Sequence, residues 1–264
     1  MSRQNEPAPE SRENRVSYSE LKVWNDCTYK HKLRYIDEVS GFTGNEFTAF
    51  GTAVHTVCEN LLLGTVLDPG EEFQKEFQNE LAQLAEVNPE LTDPMKTQGP
   101  KILGQVLEAV EQNFSKYEVF STEEELYEPI GIENVSKQTF KGFIDLVLKI
   151  GEVYHVIDWK TCTWGWNYRK KSDPMNVYQL MLYKKYFSEK HNIPLTNIKT
   201  HFALLKRTAS SDNIEIFEVT SGEKRVANAF NLLKRALVNI EKKVFIKNRL
   251  SCKYCEFYKT EHCK

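Results

Sequence analysis

Two apolar segments separated by only two residues constrain the fold of this chain more than any other feature. Residues 140–150, FKGFIDLVLKI, and residues 153–160, VYHVIDWK, are rich in β-branched and aromatic residues. Strands joined by so short a connection pair antiparallel, so the sequence predicts a β-hairpin. Each strand carries one acid in an otherwise apolar run, Asp145 in the first and Asp158 in the second. A carboxylate in such surroundings is costly to bury unless a cation neutralises it.

The two acids predict a cation site. Carboxylates on neighbouring strands can converge on one hard cation, and oxygen ligands suit Mg²⁺ or Mn²⁺. Lys160 follows Asp158 by two residues, so on an extended chain both side chains point to the same face. A lysine beside a divalent ion can orient a water and stabilise negative charge that develops on a phosphate. The alternative is an Asp–Lys ion pair at the surface, which contributes little to stability.

The rest of the chain predicts helices around one mixed sheet. The order of elements is helices, three strands, a helix, two strands and a helix, which is typical of an α/β or α+β domain. We expect one helix over residues 102–120 and another that begins at Pro174 with Asp173 as its N-cap. Residues 1–16 are polar, so we expect a disordered arm there and a single domain over residues 17–264.

The composition indicates a globular protein with a sizeable core, but it does not identify a binding partner. An apolar fraction of 41% is enough for a sizeable core, and the net charge of −2 is nearly neutral. The charge is uneven, because residues 71–125 are acidic and residues 160–207 and 234–264 are mostly basic. The basic part is typical of a surface that binds a polyanion, or of solvated helix faces. No membrane span or signal peptide is recognisable, so we expect a cytoplasmic protein.

A cluster of cysteines ends the chain. Cys252, Cys255 and Cys263 have the spacing C-x2-C-x7-C, and Cys27 lies far upstream. This pattern favours a ligand cluster over a disulfide scaffold. Four thiolates can hold a [4Fe–4S] cluster or a Zn²⁺ ion, and the spacing does not decide between them. A tail with free thiols is the remaining alternative.

The loop after the second strand of the hairpin combines aromatic and basic residues. Residues 164–171, WGWNYRKK, contain two tryptophans, a tyrosine and three cations. Such a mixture suits a single nucleic-acid strand, in which bases stack on rings and phosphates pair with cations. Packing of the rings on the domain is an equally good interpretation.

Three segments together resemble the PD-(D/E)XK nuclease superfamily. GFIDLVLKIGEVYHVIDWKT, residues 142–161, resembles its core, with Asp145 as the first acid and Asp158-Trp159-Lys160 as the second motif. FGTAVHTVCENLL, residues 50–62, resembles the upstream helix of the RecB-like branch, whose histidine corresponds to His55. YQLMLYKKYF, residues 178–187, resembles the later motif of that branch. Ile144 stands where the superfamily has its eponymous proline.

The resemblance implies a fold and a set of site residues. The fold would be a restriction-endonuclease-like core, a central mixed β-sheet flanked by helices, with the N- and C-terminal parts joined by the cysteines. Lys160 would position or activate the attacking water. The implied ligands of Mg²⁺ or Mn²⁺ are His55, Asp145, Asp158 and the backbone carbonyl of Trp159.

Further roles follow from the same resemblance. Gln179 and Tyr183 would contact the nucleic-acid backbone or order the site, although packing is an alternative for Tyr183. The cysteines look like those of the iron–sulfur, CRISPR-associated exonucleases of the RecB-like branch, which favours a [4Fe–4S] cluster over Zn²⁺. The ligands of this cluster would be Cys27, Cys252, Cys255 and Cys263.

The implied function is metal-dependent hydrolysis of DNA. We expect an exonuclease of DNA processing, recombination or repair, in a prokaryotic cell or a phage-infected host. Its substrate would be single-stranded DNA or DNA ends, and helicases or recombination proteins are possible partners. The alternative is a non-catalytic DNA-binding or assembly subunit that keeps the fold.

Overall fold

The helices and strands of the computed structural model largely follow the predicted order. The structure describes residues 14–39 and 44–264. Two short 3₁₀ segments, Leu195–Asn197 and Arg249–Tyr254, and a π-helical turn, Lys32–Ile36, accompany the regular elements. These elements are β1 Arg15–Ser17, α1 Tyr18–Asp26, α2 Thr28–His31, α3 Glu46–Leu62, α4 Pro69–Leu81, α5 Pro89–Leu103, α6 Val106–Asn113, β2 Glu118–Pro129, β3 Thr139–Ile150, β4 Val153–Cys162, α7 Tyr168–Ser172, α8 Pro174–His191, β5 Ile198–Lys206, β6 Ile214–Val219 and α9 Glu223–Glu241.

The contacts divide the chain into two compact units. The terminal unit is the described part of Met1–Phe42 together with Glu125–Gly142 and Lys224–Lys264. The central unit is the described part of Thr43–Glu124 together with Phe143–Glu223. The hairpin acids and the histidine singled out in the sequence belong to the central unit, and the four clustered cysteines belong to the terminal unit.

The strand pairings form a mixed sheet, as predicted. β4 pairs antiparallel with β3 and parallel with β5, and β6 pairs antiparallel with β5. β2 also pairs with β3, and β1 pairs parallel with the first residues of β3. Gly151 turns the chain between β3 and β4 with a φ of 58°, a left-handed conformation that glycine adopts at little cost. This residue explains why two residues suffice for the connection.

Helices α3 to α6 cover one face of the sheet in the central unit. Their buried residues pack against alternate residues of the strands, which are Leu146, Leu148, Ile157, Trp159, Ala203 and Leu205. Asp158 and Lys160 alternate with Ile157 and Trp159 along β4, so they point to the opposite face. Helix α8 packs against β4 and β5. The alternation of side chains along β4 therefore places the apolar residues on the buried face and Asp158 and Lys160 on the other face.

The start of α8 is confirmed. The side chain of Asp173 accepts a hydrogen bond from the N–H of Met175 at 2.8 Å, and Pro174 is the first helical residue. An N-cap acceptor satisfies a backbone donor that has no partner within the helix, and proline at the first position lacks that donor. Local chemistry therefore sets the boundary of this helix.

Two other boundaries differ from prediction. The single helix predicted over residues 102–120 is wrong, because Gly104 ends α5 and the left-handed Lys116, with a φ of 56°, leads the chain into β2. The arm predicted over residues 1–16 lies outside the described residues up to residue 13, whereas Arg15 and Val16 belong to β1. Val16 is 1% exposed, so its burial holds this end of the described chain in the sheet.

Two stacked histidines lie between β4, β5 and the end of α6. Nδ1 of His155 and Nε2 of His201 are 3.0 Å apart, and the ring of Phe114 meets both imidazoles edge-on. Burial, followed by the charges of His155 and Lys199, lowers the pKa of His201 to about 3. Burial also lowers the pKa of His155. One imidazole donates to the other only when the accepting nitrogen carries no proton, so the contact requires at least one neutral ring.

This histidine pair makes stability depend on pH. Because the folded pKa of His201 is below the unfolded value of about 6.5, its contribution is complete above pH 6.5 and is lost as the pH falls below it. We expect a loss of about 2 kcal/mol from His201 between pH 7.5 and pH 5. Urea unfolding at both pH values should show a smaller loss for His201→Phe, which keeps a ring against Phe114. The exposed His262→Gln is the matched control, and an unchanged pH dependence of His201→Phe would contradict the assignment.

Among the described helices, none has the combination of length and apolar composition that is needed to cross a bilayer.

Candidate active site

The two hairpin acids face each other across β3 and β4. The pairing of β3 with β4 reaches Leu146 opposite Ile157, and Asp145 and Asp158 are the next residue on each strand. Directly opposed residues of an antiparallel pair point to the same face, with Cβ atoms about 5 Å apart. Oδ2 of Asp145 accepts a hydrogen bond from the backbone N–H of Trp159 at 2.7 Å, which ties the first acid to the strand of the second. The sequence predicted both acids on one site, and the register brings them together.

Asp158 is the most deeply buried acid of the site. It is 1% exposed, and its Oδ2 lies 2.5 Å from Nζ of Lys160. Burial raises the pKa of Asp158 to about 6, and the charge of Asp145 raises it while that of Lys160 opposes the change. The ammonium of Lys160 is the cation that offsets the charge of this buried oxygen. The carboxylate is therefore held in a place where an additional positive charge would stabilise its ionised form.

His55 reaches this pair from helix α3. Its Nδ1 lies 3.7 Å from Oδ1 of Asp145. Burial by itself would lower the pKa of His55, but the carboxylate of Asp145 outweighs it and the pKa lies above its ordinary value. In return, burial would raise the pKa of Asp145, but the charge of His55, followed by that of Lys160, holds it below its ordinary value. Asp145 is therefore ionised at neutral pH.

Helix α8 supplies the two polar residues predicted from the later motif. Nε2 of Gln179 donates a hydrogen bond to the hydroxyl of Tyr183 at 3.0 Å. Tyr183 is 6% exposed, and burial followed by the charge of Asp158 raises its pKa. The tyrosine is therefore protonated and close enough to the acids to feel their charge. Tyr183 is packed in the fold and bonded to Gln179, and its part in ordering the site stays a prediction.

Strand β2 adds an acid that the sequence analysis did not single out. The hydroxyl of Thr122 donates a hydrogen bond to the carboxylate of Glu59 at 3.0 Å. Glu59 lies on α3, one turn after His55. The next residue, Glu123, has a φ of 47°, an uncommon left-handed conformation for a residue within a strand. Burial raises the pKa of Glu123 to about 7, and the charges of Asp145 and Glu59 add to the shift. No sequence pattern marks Glu123, since its position depends on how β2 bends.

The comparisons with known proteins agree with this geometry. The family model of the PD-(D/E)XK nuclease superfamily matches residues 15–260, which is nearly the whole chain. The chain belongs to the PD-(D/E)XK nuclease superfamily. The predicted superfamily is confirmed, and membership supports a nuclease. A search of curated protein sequences finds no match.

A solved structure shows the same fold. The crystal structure described as "Putative exonuclease" from Eubacterium rectale covers 98% of this chain and 94% of that chain, with a TM-score of 0.60 and 13% identity. This similarity, together with the mixed sheet flanked by helices, confirms the restriction-endonuclease-like fold. A second structure, SSO0001, covers 95% of this chain and 86% of that chain, with a TM-score of 0.44 and 17% identity.

PD-(D/E)XK nucleases typically use divalent metal ions, and the donor set suits one. Asp145 and Asp158 present oxygen ligands on one face, and His55 adds a nitrogen beside the first acid. Within residues 14–39 and 44–264, no three His, Cys, Asp or Glu side chains have the arrangement of a formed metal site. Lys160 and the N–H of Trp159 contact the acid oxygens instead. The buried Oδ2 of Asp158 is the observation that fits an ion, because its present partner is a cation.

The four clustered cysteines line one cavity in the terminal unit. Cys27 lies at the end of α1, and the other three come from the C-terminal tail. Sγ of Cys27 accepts hydrogen bonds from the N–H groups of Lys30 and Asn248 at 3.5 and 3.3 Å. The tail is further joined to this region by Thr28, whose hydroxyl donates to the carbonyl of Ile246 at 3.1 Å. All four are free cysteines, and within residues 14–39 and 44–264 they do not have the arrangement of a formed metal site.

Proposed function

We propose that this nuclease is a divalent-metal-dependent deoxyribonuclease, and that within this class it is an exonuclease. The observation that carries the proposal is the placement of Asp145, Asp158 and Lys160 on one face of two paired strands. A buried acid pair with an adjacent lysine is costly to the fold and has a clear use in phosphodiester hydrolysis. The "Putative exonuclease" among the similar structures supports the exonuclease assignment.

We assign the metal ligands to Asp145, Asp158, His55 and the backbone carbonyl of Trp159. When bound, Mg²⁺ or Mn²⁺ would polarise the scissile phosphate and lower the pKa of a water. Asp145 holds His55 in place, since their Oδ1 and Nδ1 atoms are 3.7 Å apart. The backbone N–H of Trp159 fixes the carboxylate of Asp145, so the first acid has one defined orientation.

Lys160 is the protein residue that we assign to the attacking water and the scissile phosphate. Its ammonium group lies beside Asp158, is 30% exposed and can donate hydrogen bonds to a water in front of the acids. That water attacks the phosphorus and gives up its proton to solvent or to a site base. The bond from phosphorus to the leaving oxygen breaks, and this oxygen keeps the electron pair and takes up a proton from solvent. Lys160 also stabilises the negative charge that grows on the phosphate oxygens. No covalent intermediate with the protein is required.

Removal of divalent ions is expected to abolish hydrolysis. The purified protein should be treated with a chelator and then supplied with Mg²⁺ or Mn²⁺, using DNA labelled at the 5′ or the 3′ end. We expect no product in chelator and shortened products after either ion is added. Circular single-stranded DNA is the matched substrate, because an exonuclease leaves it intact.

Two outcomes would overturn this proposal in different ways. Cleavage at the same rate in chelator would exclude a metal-dependent mechanism. DNA binding without cleavage in either ion would instead favour the non-catalytic DNA-binding subunit. Rapid cutting of the circle would keep the metal-dependent nuclease and replace the exonuclease by an endonuclease.

We also propose that Cys27, Cys252, Cys255 and Cys263 bind a [4Fe–4S] cluster. The support is that all four free thiols line the same cavity although one of them comes from the opposite end of the chain. Backbone N–H groups already point at Sγ of Cys27, and hydrogen bonds to sulfur are a common feature of iron–sulfur sites. The resemblance to the iron–sulfur nucleases favours this cluster over Zn²⁺.

A further inference from the structure

The loop that follows β4 presents two exposed aromatic rings. Trp164 is 77% exposed and Tyr168 is 83% exposed, which are the highest values among the described aromatic side chains of the central unit. Trp166, between them in the sequence, packs on the buried Phe202 of β5 with ring centroids 5.0 Å apart. Of the two interpretations of this loop, packing on the domain applies to Trp166, and binding of a nucleic-acid strand applies to Trp164 and Tyr168. Trp166 anchors the loop, and Trp164 and Tyr168 remain in solvent.

The exposed rings stand on an anchored backbone. The N–H and the hydroxyl of Thr208 both donate to the carbonyl of Thr163, at 3.1 and 2.7 Å. The side chain of Asn167 accepts from the N–H of Lys170 at 2.9 Å and caps the short helix α7. Gly165 has a φ of 120°, which allows the sharp turn between the two tryptophans. Rings held by a fixed backbone lose little conformational entropy when they bind a partner.

The surroundings of the rings are cationic. Residues 162–172 contain Arg169, Lys170 and Lys171 and no acid. Lys171 pairs with Glu215, whereas the ammonium of Lys170 lies over the ring of Trp166 at 4.9 Å. Arg207 adds another cation at the base of the loop, where its guanidinium donates to the hydroxyl of Thr163 at 3.2 Å. The charge of this surface is complementary to a chain of phosphates.

The loop is close in sequence to the proposed reaction centre. Trp164 follows Lys160 by four residues, and an extended chain advances at most about 3.6 Å per residue. The Cα atom of Trp164 thus lies within about 15 Å of the Cα atom of Lys160. A strand whose scissile phosphate lies at the acids would reach this loop within a few nucleotides.

We propose that Trp164 and Tyr168 form a stacking surface for the unpaired bases of single-stranded DNA. The exposed rings supply the faces on which bases stack, and Arg169, Lys170 and Arg207 supply charge for the backbone. In a duplex the same bases are paired and stacked on one another, so the rings find no partner. The selection of single strands rests on the proposed nuclease function, because it assigns the substrate of that site.

The test measures binding without hydrolysis. Fluorescence anisotropy with a labelled oligo-dT and with a blunt duplex of equal length, both in chelator, gives the two dissociation constants. Stacking on one ring contributes about 1–3 kcal/mol per base, so Trp164→Ala should weaken oligo-dT binding by about 5-fold or more. The double variant with Tyr168→Ala should lose about 30-fold or more, and duplex binding should change by less than about 3-fold.

Two control variants make the outcome decisive. Trp164→Phe with Tyr168→Phe keeps the rings and should retain most of the affinity for oligo-dT. Tyr254→Ala removes an equally exposed ring, 84% exposed, from the terminal unit and should leave binding unchanged. Equal losses for the single strand and the duplex, or equal losses in Tyr254→Ala, would overturn the stacking surface.

The failure of this inference differs from the failure of the proposed function. If the parent hydrolyses DNA with Mn²⁺ and the double variant binds oligo-dT like the parent, the surface is refuted and the nuclease stands. If the parent hydrolyses nothing but the double variant loses oligo-dT binding selectively, the surface stands and the nuclease is refuted.

Discussion

Lys160→Met is expected to reduce DNA hydrolysis by about 10³-fold at pH 8 in Mn²⁺. The methionine keeps much of the length of the side chain and removes the cation that lies 2.5 Å from Asp158. Without it, no ammonium donates to the attacking water or stabilises the charge on the phosphate. Single-turnover rates with an end-labelled strand measure the loss directly. Thermal unfolding of the same variant separates the loss of activity from any loss of stability that follows from leaving the buried Asp158 without its cation.

The matched variant at the same position is Lys160→Arg. The guanidinium keeps the charge beside Asp158 but differs in shape from an ammonium, so we expect a partial recovery of activity. Lys185→Met, which removes a cation that pairs with Glu189 on α8, is a control for a general loss of charge. A rate for Lys160→Met within about 3-fold of the parent would refute the assigned role of the lysine.

Cys252→Ser is expected to remove the iron–sulfur cluster and to lower the stability of the terminal unit. The parent, purified without oxygen, should show visible absorbance and bound iron and sulfide. The variant should lose both, because a hydroxyl is a poor replacement for a thiolate ligand. Cys27 and Cys252 are more than two hundred residues apart, so the link closes a very long loop. In the chain-entropy model, opening a loop of that length costs about 5 kcal/mol.

Thermal unfolding measures this second effect. A loss of about 5 kcal/mol corresponds to a fall in Tm of about 10–20 °C for a chain of this size. Cys162→Ser is the matched control, since this half-buried thiol is outside the cavity that the four cysteines line. A colourless parent with one zinc ion would replace the iron–sulfur cluster by the Zn²⁺ alternative. A parent that contains no metal at all would refute the site.

The hairpin of β3 and β4 shows how much of the candidate site can be predicted from residues that are close in sequence. The apolar runs, the two-residue connection and the spacing of Asp158 and Lys160 predict paired strands with polar residues on one face. The register and the Asp158–Lys160 contact agree with this expectation. The same is true of the start of α8, where Asp173 and Pro174 form a cap from adjacent residues. In both cases the groups that interact are near each other in the chain.

The segment between α5 and β2 shows where local pattern fails. An apolar stripe over residues 102–120 predicts one helix, but the chain forms α6 as a separate helix and then enters β2. The helical period of the apolar residues does not reveal that the ring of Phe120 meets the ring of Tyr154 on β4 edge-on, with centroids 5.2 Å apart. That contact joins residues far apart in the chain, so a local period cannot reveal it.

By itself, the sequence determined the mixed α/β order, the acid–acid–lysine pattern of the hairpin and the spacing of the cysteines, because these depend on neighbours in the chain and on the period of a strand. Tertiary structure alone decided that His55 lies beside Asp145, that Glu123 comes near enough to feel the charge of the acids, and that Trp166 is packed while Trp164 and Tyr168 are exposed. The physical reason is that these positions depend on how helices and strands pack together. The spacing of residues along a helix or strand determines which face of that element a side chain lies on. The packing of the elements determines which residues that face contacts.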